Sequence, residues 1–304
     1  MAWARRLHRI ATANPSVIES RPQVATSIQE NGIREAGSAS AVRAAPSTPF
    51  RPLRVALRAI GFASFGLISL GFGFCAVPLA RIAARRRGED PEIRAQRAIH
   101  RGMRLWVRLA DACGIARVVS VSGVDALRAG PAVVVANHPS LIDTPILLSV
   151  LPQADLIVNA AWGDNLFLRG CVAGAGYLRA ERGAVMVRHA IERLRAGRTL
   201  LVYPEGSRTP PEGLRAFERG AAQIALLAGC DIVPVVIRVQ PRTLMKGQAF
   251  ADVPKNCPEW RVEVGQPIHP GDYVRTGEGS SAAARRITAA LQEYFEKRWE
   301  RGIC

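Results

Sequence analysis

The hydrophobic positions change rhythm three times along the chain. Residues 1–50 show no sustained apolar period and are rich in Ala, Ser, Pro, Arg and Gln, a composition expected of a disordered basic tail. From Ile60 to Ala80 the chain runs 21 residues without a charge. A membrane-crossing helix needs about 20 such residues, so this segment is long enough to span. A buried helix or a re-entrant hairpin would also accommodate it, because Gly71, Gly73 and Pro78 interrupt the run. Residues 91–115 then take a helical period, with Ile99, Met103, Trp106, Val107 and Ala110 on one face and arginines on the other. A basic amphipathic helix of this kind suits a membrane interface. It suits a helix packed on a folded domain equally well.

Beyond residue 115 the pattern alternates. Apolar, β-rich runs at Arg117–Val121, Ala132–Ala136, Asp155–Val158, Thr199–Tyr203, Ile232–Val239 and Trp260–Val264 are separated by helical stretches. The clearest helices are Ala184–Ala196, Leu214–Ala228 and Ser281–Arg298. Strands alternating with helices predict an α/β fold: a mixed, largely parallel sheet flanked by helices, preceded by an N-terminal membrane-associated helical segment. The expected organisation is a tail over residues 1–50, a membrane-embedded or spanning segment over 51–88, and a catalytic-sized domain over 89–300. No internal repeat is visible.

Charge narrows the possible partners. The chain carries a formal net charge of +16, and residues 1–108 contain 18 arginines against 6 acidic residues. A basic front half on a nearly neutral remainder implies an anionic partner met at one end. Interleaved aromatics, zinc-ligand spacings and a recognition-helix pattern are all missing, so nucleic acid is not expected. The long apolar segment inside the basic region favours a membrane instead. Arg81, Arg85, Arg86 and Arg87 follow that segment, and Arg51, Arg54 and Arg58 precede it, a small bias that places the following domain on the cytoplasmic face of an inner membrane. The six cysteines are scattered without a CxxC pair, as expected of buried thiols in a reducing compartment.

Two clusters carry candidate chemistry. The apolar run Val133–Ala136 leads directly into Asn137-His138-Pro139-Ser140-Leu141-Ile142-Asp143-Thr144-Pro145. Thr144 before Pro145 has the form of a helix N-cap and first-turn proline. His138 and Asp143 stand at a strand-to-helix turn, close enough for the carboxylate to fix the imidazole tautomer and make His138 a general base. The pair alone is accounted for at least as well by a structural turn; the full string at a strand end is more specific. The second cluster, Tyr203-Pro204-Glu205-Gly206-Ser207-Arg208-Thr209-Pro210, also follows an apolar strand. Gly206 would let a ligand approach the backbone, and Arg208 offers a planar fork suited to phosphate. Taken alone it would be a surface ion pair in a turn. A hydrolase using Ser140 as nucleophile is disfavoured, since no G-x-S-x-G elbow surrounds it.

Together, the two clusters resemble the signature blocks of the phospholipid and glycerol acyltransferase family, the lysophosphatidate acyltransferase group. Four blocks occur in order: Asn137 to Asp143; Gly176-Tyr177-Leu178-Arg179-Ala180-Glu181-Arg182; Tyr203 to Thr209; and Ile232-Val233-Pro234-Val235-Val236. The resemblance covers about Val118 to Pro270. It implies an O-acyltransferase in which His138 deprotonates an acceptor hydroxyl and Asp143 orients it. The donor would be acyl-ACP or acyl-CoA and the default acceptor 1-acyl-sn-glycerol 3-phosphate. It further implies that Glu205, Gly206 and Arg208 hold the acceptor head group, that Arg179 or Arg182 helps with phosphate, and that Pro234 shapes the acyl side of the cleft. Asn137, Ser140 and Ser207 complete the expected binding residues. Block two departs from the usual aromatic-Ile-Asp-Arg pattern, which leaves open a non-glycerol acceptor of the aryl polyene or ornithine-lipid type. The segment Gln240–Trp260 resembles a subgroup found with aryl polyene pathways. The remaining alternative is a membrane-bound module that binds lipid phosphate without catalysis. No cofactor and no metal are expected, and His100, His189 and His269 read as ordinary surface or packing residues.

Overall fold

In the computed structural model, residues 51–180 and 183–300 are described, and the expected basic tail over residues 1–50 lies outside them. A 36-residue helical rod, Arg51–Arg86, opens the described chain and is long and apolar enough to cross a membrane by length and composition. It consists of α1 (Arg51–Gly71), a π-helical turn at Phe72–Ala76 and α2 (Val77–Arg86). One side of the rod lies on the protein for most of its length. Trp106 Nε1 donates to the Gly61 carbonyl at 3.0 Å, and a Cβ on Gly73 would come within 3.1 Å of the Gly170 backbone. Glycine at 73 and 170 therefore allows backbones to approach where any side chain would hold them apart. The opposite side exposes Ile60, Leu67, Phe74, Leu79 and Ile82. Near its start, Arg58 is 2% exposed and donates to the carbonyls of Phe250 and Asp252 and to Thr243 Oγ1.

The expected amphipathic helix is α3 (Pro91–Ala112). It begins where Asp90 caps the amides of Glu92 and Ile93, and Ile99, Met103, Trp106 and Ala110 are buried as the period requires. The remaining elements are β1 (Arg117–Ser122), β2 (Ala132–Ala136), α4 (Asp143–Val150), β3 (Asp155–Val158), α5 (Ala160–Gly163), α6 (Arg169–Ala175), β4 (Leu178–Arg179), α7 (Ala184–Arg195), β5 (Leu200–Val202), α8 (Gly220–Ala228), β6 (Asp231–Gln240), β7 (Glu259–Val264) and α9 (Ser280–Glu300). The seven strands form one sheet in the order β1-β7-β6-β2-β5-β3-β4. Every pair is parallel except β6 with β7. This is the predicted mixed, largely parallel α/β architecture.

Strand β2 is buried on both faces, which is why it reads as an unbroken apolar run rather than an alternation. Ala132, Val134 and Ala136 face a core shared with α3 and α4, and Val133 and Val135 face a second core shared with α8 and α9. Residues at the carboxyl ends of β2 and β5 consequently emerge side by side at one rim of the sheet.

Two expectations are corrected. The helix predicted over Leu214–Ala228 begins only at Gly220. Upstream, the amides of Arg215, Phe217 and Glu218 donate to Glu205, Gln292 and the Pro204 carbonyl instead of to a helical ladder. Thr144 is also not an N-cap: α4 starts at Asp143, and the Thr144 hydroxyl lies 3.0 Å from that of Tyr203. The two-residue β4 was not predicted.

At the opposite rim a buried carboxylate ties three layers together. Asp155, 1% exposed, accepts on Oδ1 from Gln96, Arg193 and Arg198 at 2.8, 2.6 and 2.8 Å. Removing it leaves Arg193 and Arg198 only the part-exposed Glu92 and Asp90 as partners beside a vacated buried site. Asp155→Ala should lower the unfolding free energy by about 3–5 kcal/mol, read by denaturant titration. A loss below about 1 kcal/mol would show the cluster to be solvent-compensated.

Candidate active site

The site begins with the backbone of His138, which leaves the end of β2 clamped by the loop after β5. Its amide is shared between Glu205 Oε1 and Thr209 Oγ1, each at 3.2 Å, and its carbonyl accepts from the Thr209 amide at 2.7 Å. The two sequence clusters are thus physically one unit. Gly206 makes the loop possible: its φ of +65° is open to glycine at little cost, and its amide closes a turn on the Tyr203 carbonyl at 3.1 Å. The Tyr203 ring stacks on the His138 imidazole at 4.2 Å with a 19° interplanar angle.

The side chains complete a hydrogen-bonded pair. His138 Nδ1 lies 3.0 Å from Asp143 Oδ2, and the Ser140 amide donates to the same oxygen at 2.6 Å. Asp143 Oδ1 accepts from Trp260 Nε1 at 2.8 Å. The carboxylate has no solvent exposure, whereas the His138 side chain keeps 16%. With Nδ1 facing Asp143, Nε2 is the ring nitrogen that could take a proton from a neighbouring group. Burial raises the Tyr203 phenol far above its ordinary value, so it remains a neutral ring against the imidazole.

Several expected binding residues face inward. Asn137 is fully buried, and its amide exchanges two hydrogen bonds with the Ile237 backbone, at 2.9 and 2.7 Å. It pins β2 to β6, and its full burial keeps it away from the rim. Ser140 is fully buried, with its Oγ unpartnered. Glu205 is 5% exposed; besides His138 and Thr209 it accepts from the Arg215 amide at 3.2 Å. Burial pushes the Glu205 carboxyl up, while these hydrogen bonds oppose the shift. Arg208 donates to the carbonyls of Leu244 and Met245 at 2.8 and 3.1 Å. Leu244 O also accepts from the Leu141 amide, so Arg208 fastens the loop after β6 to the catalytic turn. Pro234 is buried within β6, against Gly265, rather than lining a cleft.

Other residues remain at the rim. Gly206 is exposed, and Ser207 is half-buried beside Arg215, whose guanidinium reaches its Oγ at 3.3 Å. Arg179, in β4, bonds both oxygens of Asp164 at 2.9 and 3.0 Å. It stands three strands from β2, a lateral distance of about 14 Å. Arg182 lies outside the described residues. Sequence reasoning missed the roles of Thr209, Trp260 and Leu244 in this cluster; Thr209 alone carried a signal, as the last residue of its block.

The acyltransferase family profile matches residues 118–238. A lyso-ornithine lipid O-acyltransferase from Pseudomonas aeruginosa is 35% identical over 193 residues, which cover 61% of this chain and 69% of that protein. The chain belongs to the acyltransferase family. The enzyme also resembles human 1-acyl-sn-glycerol-3-phosphate acyltransferase beta, at 32% identity over 117 residues, 36% of this chain and 41% of the human protein. In fold it is similar to the crystal structure of the 1-acyl-sn-glycerophosphate (LPA) acyltransferase PlsC from Thermotoga maritima. That match has a TM-score of 0.58 at 20% identity and covers 81% of this chain and 98% of the other.

Because Glu205 serves the protein's own amides, replacing it should act on the fold of the site. In the acyltransferase, Glu205→Ala orphans the Arg215 amide and the Thr209 hydroxyl and leaves the His138 amide with Thr209 Oγ1 alone. It should reduce stability by about 3 kcal/mol and reduce kcat. A raised KM for acceptor, with the thermal midpoint unchanged, would instead identify Glu205 as a head-group ligand.

Proposed function

We propose that the enzyme moves a fatty acyl group from an acyl-ACP or acyl-CoA thioester to the hydroxyl of a lysolipid, with His138 as general base. The observation that carries this reading is the imidazole held by its Nδ1 on the buried Asp143, 3.0 Å away, with Nε2 open. Nε2 takes the hydroxyl proton as the oxygen attacks the thioester carbonyl. The C–S bond then breaks, and the imidazolium returns the proton to the departing sulfur. Asp143 fixes the tautomer and stabilises the transient positive charge. No acyl-enzyme is required, and the buried Ser140 is poorly placed to form one.

The default acceptor is 1-acyl-sn-glycerol 3-phosphate. A second reading, an acceptor of the lyso-ornithine lipid type, is favoured by two observations. The Pseudomonas relative aligns over 193 residues and the human one over 117. Arg208 and Arg179, the described arginines expected to meet phosphate, bond to protein carbonyls and to Asp164. The exposed apolar side of α1 and α2, continued by Leu105 and Leu109 of α3, would rest in the lipid of an inner membrane, with the sheet on the cytoplasmic side. Arg97, Arg101, Arg104 and Arg108 form an exposed stripe on α3 that suits anionic head groups or an acidic carrier protein.

The deciding experiment offers the purified enzyme both lysolipids with each donor and weighs the products. Acylation of the lyso-ornithine lipid in preference to lysophosphatidate establishes the second reading; the reverse preference establishes the default. Failure to acylate any lysolipid sinks both. His138→Ala should lower turnover by about a thousandfold or more with the fold retained, and near-normal turnover would remove the base assignment. Added salt should depress turnover with acyl-ACP more than with acyl-CoA. Equal sensitivity would count against carrier docking on the arginine stripe.

A further inference from the structure

The inner oxygen of the Asp143 carboxylate is held by a residue 117 positions downstream. Asp143 Oδ2 is already committed to His138 Nδ1 and the Ser140 amide. Oδ1 points the other way, into the core, where Trp260 Nε1 meets it at 2.8 Å. Trp260 has no solvent exposure. It sits in β7 between Val118 of β1 and Val239 of β6, so strands on both sides fix its backbone. Its side chain belongs to the same core cluster as Val262 and Val264. Within that core the Trp260 indole is the group that meets the carboxylate oxygen with a proton.

Resting on the base reading above, we infer that Trp260 is a positioning residue of the acyl-transfer site. The terminal torsion of an aspartate is soft and roughly two-fold; the donors on Oδ2 hold one side of the carboxylate, and a donor on Oδ1 holds the other and stiffens the plane against turning. An indole N–H donates and cannot accept or ionise. Its bond to Oδ1 sets that plane, keeps Oδ2 aimed at Nδ1, and so keeps the proton of His138 on the side away from substrate. The indole touches neither substrate nor imidazole; it acts through Asp143.

Trp260→Phe keeps an aromatic ring in the core and deletes the donor. The expected result is a fall in kcat of about tenfold, with KM for donor and acceptor changed by no more than about twofold. Should this variant fail to fold, 3-benzothienylalanine at position 260 keeps the bicyclic shape and replaces N–H with sulfur. It should show the same loss of kcat at an unchanged thermal midpoint. In the wild-type protein, the Trp260 indole proton should resonate downfield and move upfield in Asp143→Asn. A folded isostere with full kcat, a loss appearing in KM alone, or an indole proton indifferent to Asp143→Asn would each overturn the assignment. The base reading fails separately, through an active His138→Ala.

Discussion

A carboxylate removed from water is costly to the fold unless donors replace the hydration it has lost. Asp143 meets that condition with three: the His138 imidazole, the Ser140 amide and the Trp260 indole. They come from the end of β2, the turn before α4, and β7. The carboxylate is therefore where three parts of the fold converge, and the imidazole direction is a consequence of that convergence. Around it, the loop after β5 grips the His138 backbone at both amide and carbonyl, and Tyr203 supports the ring from one face. The third block, Tyr203 to Thr209, serves largely to hold the first. This explains why Glu205 and Arg208, polar residues at the rim of a cleft by sequence, spend their hydrogen bonds on the protein.

The same economy extends towards the helical rod. Arg58 of α1 holds the loop after β6 through Thr243, Phe250 and Asp252. In that loop, the Leu244 carbonyl holds Leu141 and Arg208. Hydrogen bonds on the adjacent residues Thr243 and Leu244 thus link the apolar rod to the turn bearing His138. With a bilayer under the exposed side of the rod, the chemistry would sit at a fixed height relative to the lipid.

Much of this was legible in the sequence because local order carried it. Strand β2, buried on both faces, had to be an unbroken apolar run, and α3 had to place its apolar residues on one face. His138 and Asp143 share one turn, so five positions of sequence sufficed to suggest contact. What was not legible depends on distant partners. Leu214 to Glu218 have helix-compatible residues, yet their amides are claimed by Glu205, Pro204 and Gln292. Asn137 looks like a ligand until Ile237, 100 residues away, is seen to occupy both ends of its amide. Trp260 reads as a strand tryptophan, and only the sheet order, which brings β7 within reach of α4, gives it a role.

In the proposed mechanism His138 holds its proton on Nδ1, against Asp143, and presents a bare Nε2 to the acceptor hydroxyl. Nitrogen-15 NMR of histidine-labelled enzyme at its working pH tests this most directly, with the signals assigned by comparison with His138→Ala. The expected result is a protonated Nδ1 and an unprotonated Nε2 for His138. A resting tautomer with the proton on Nε2, or a fully protonated ring, would contradict it.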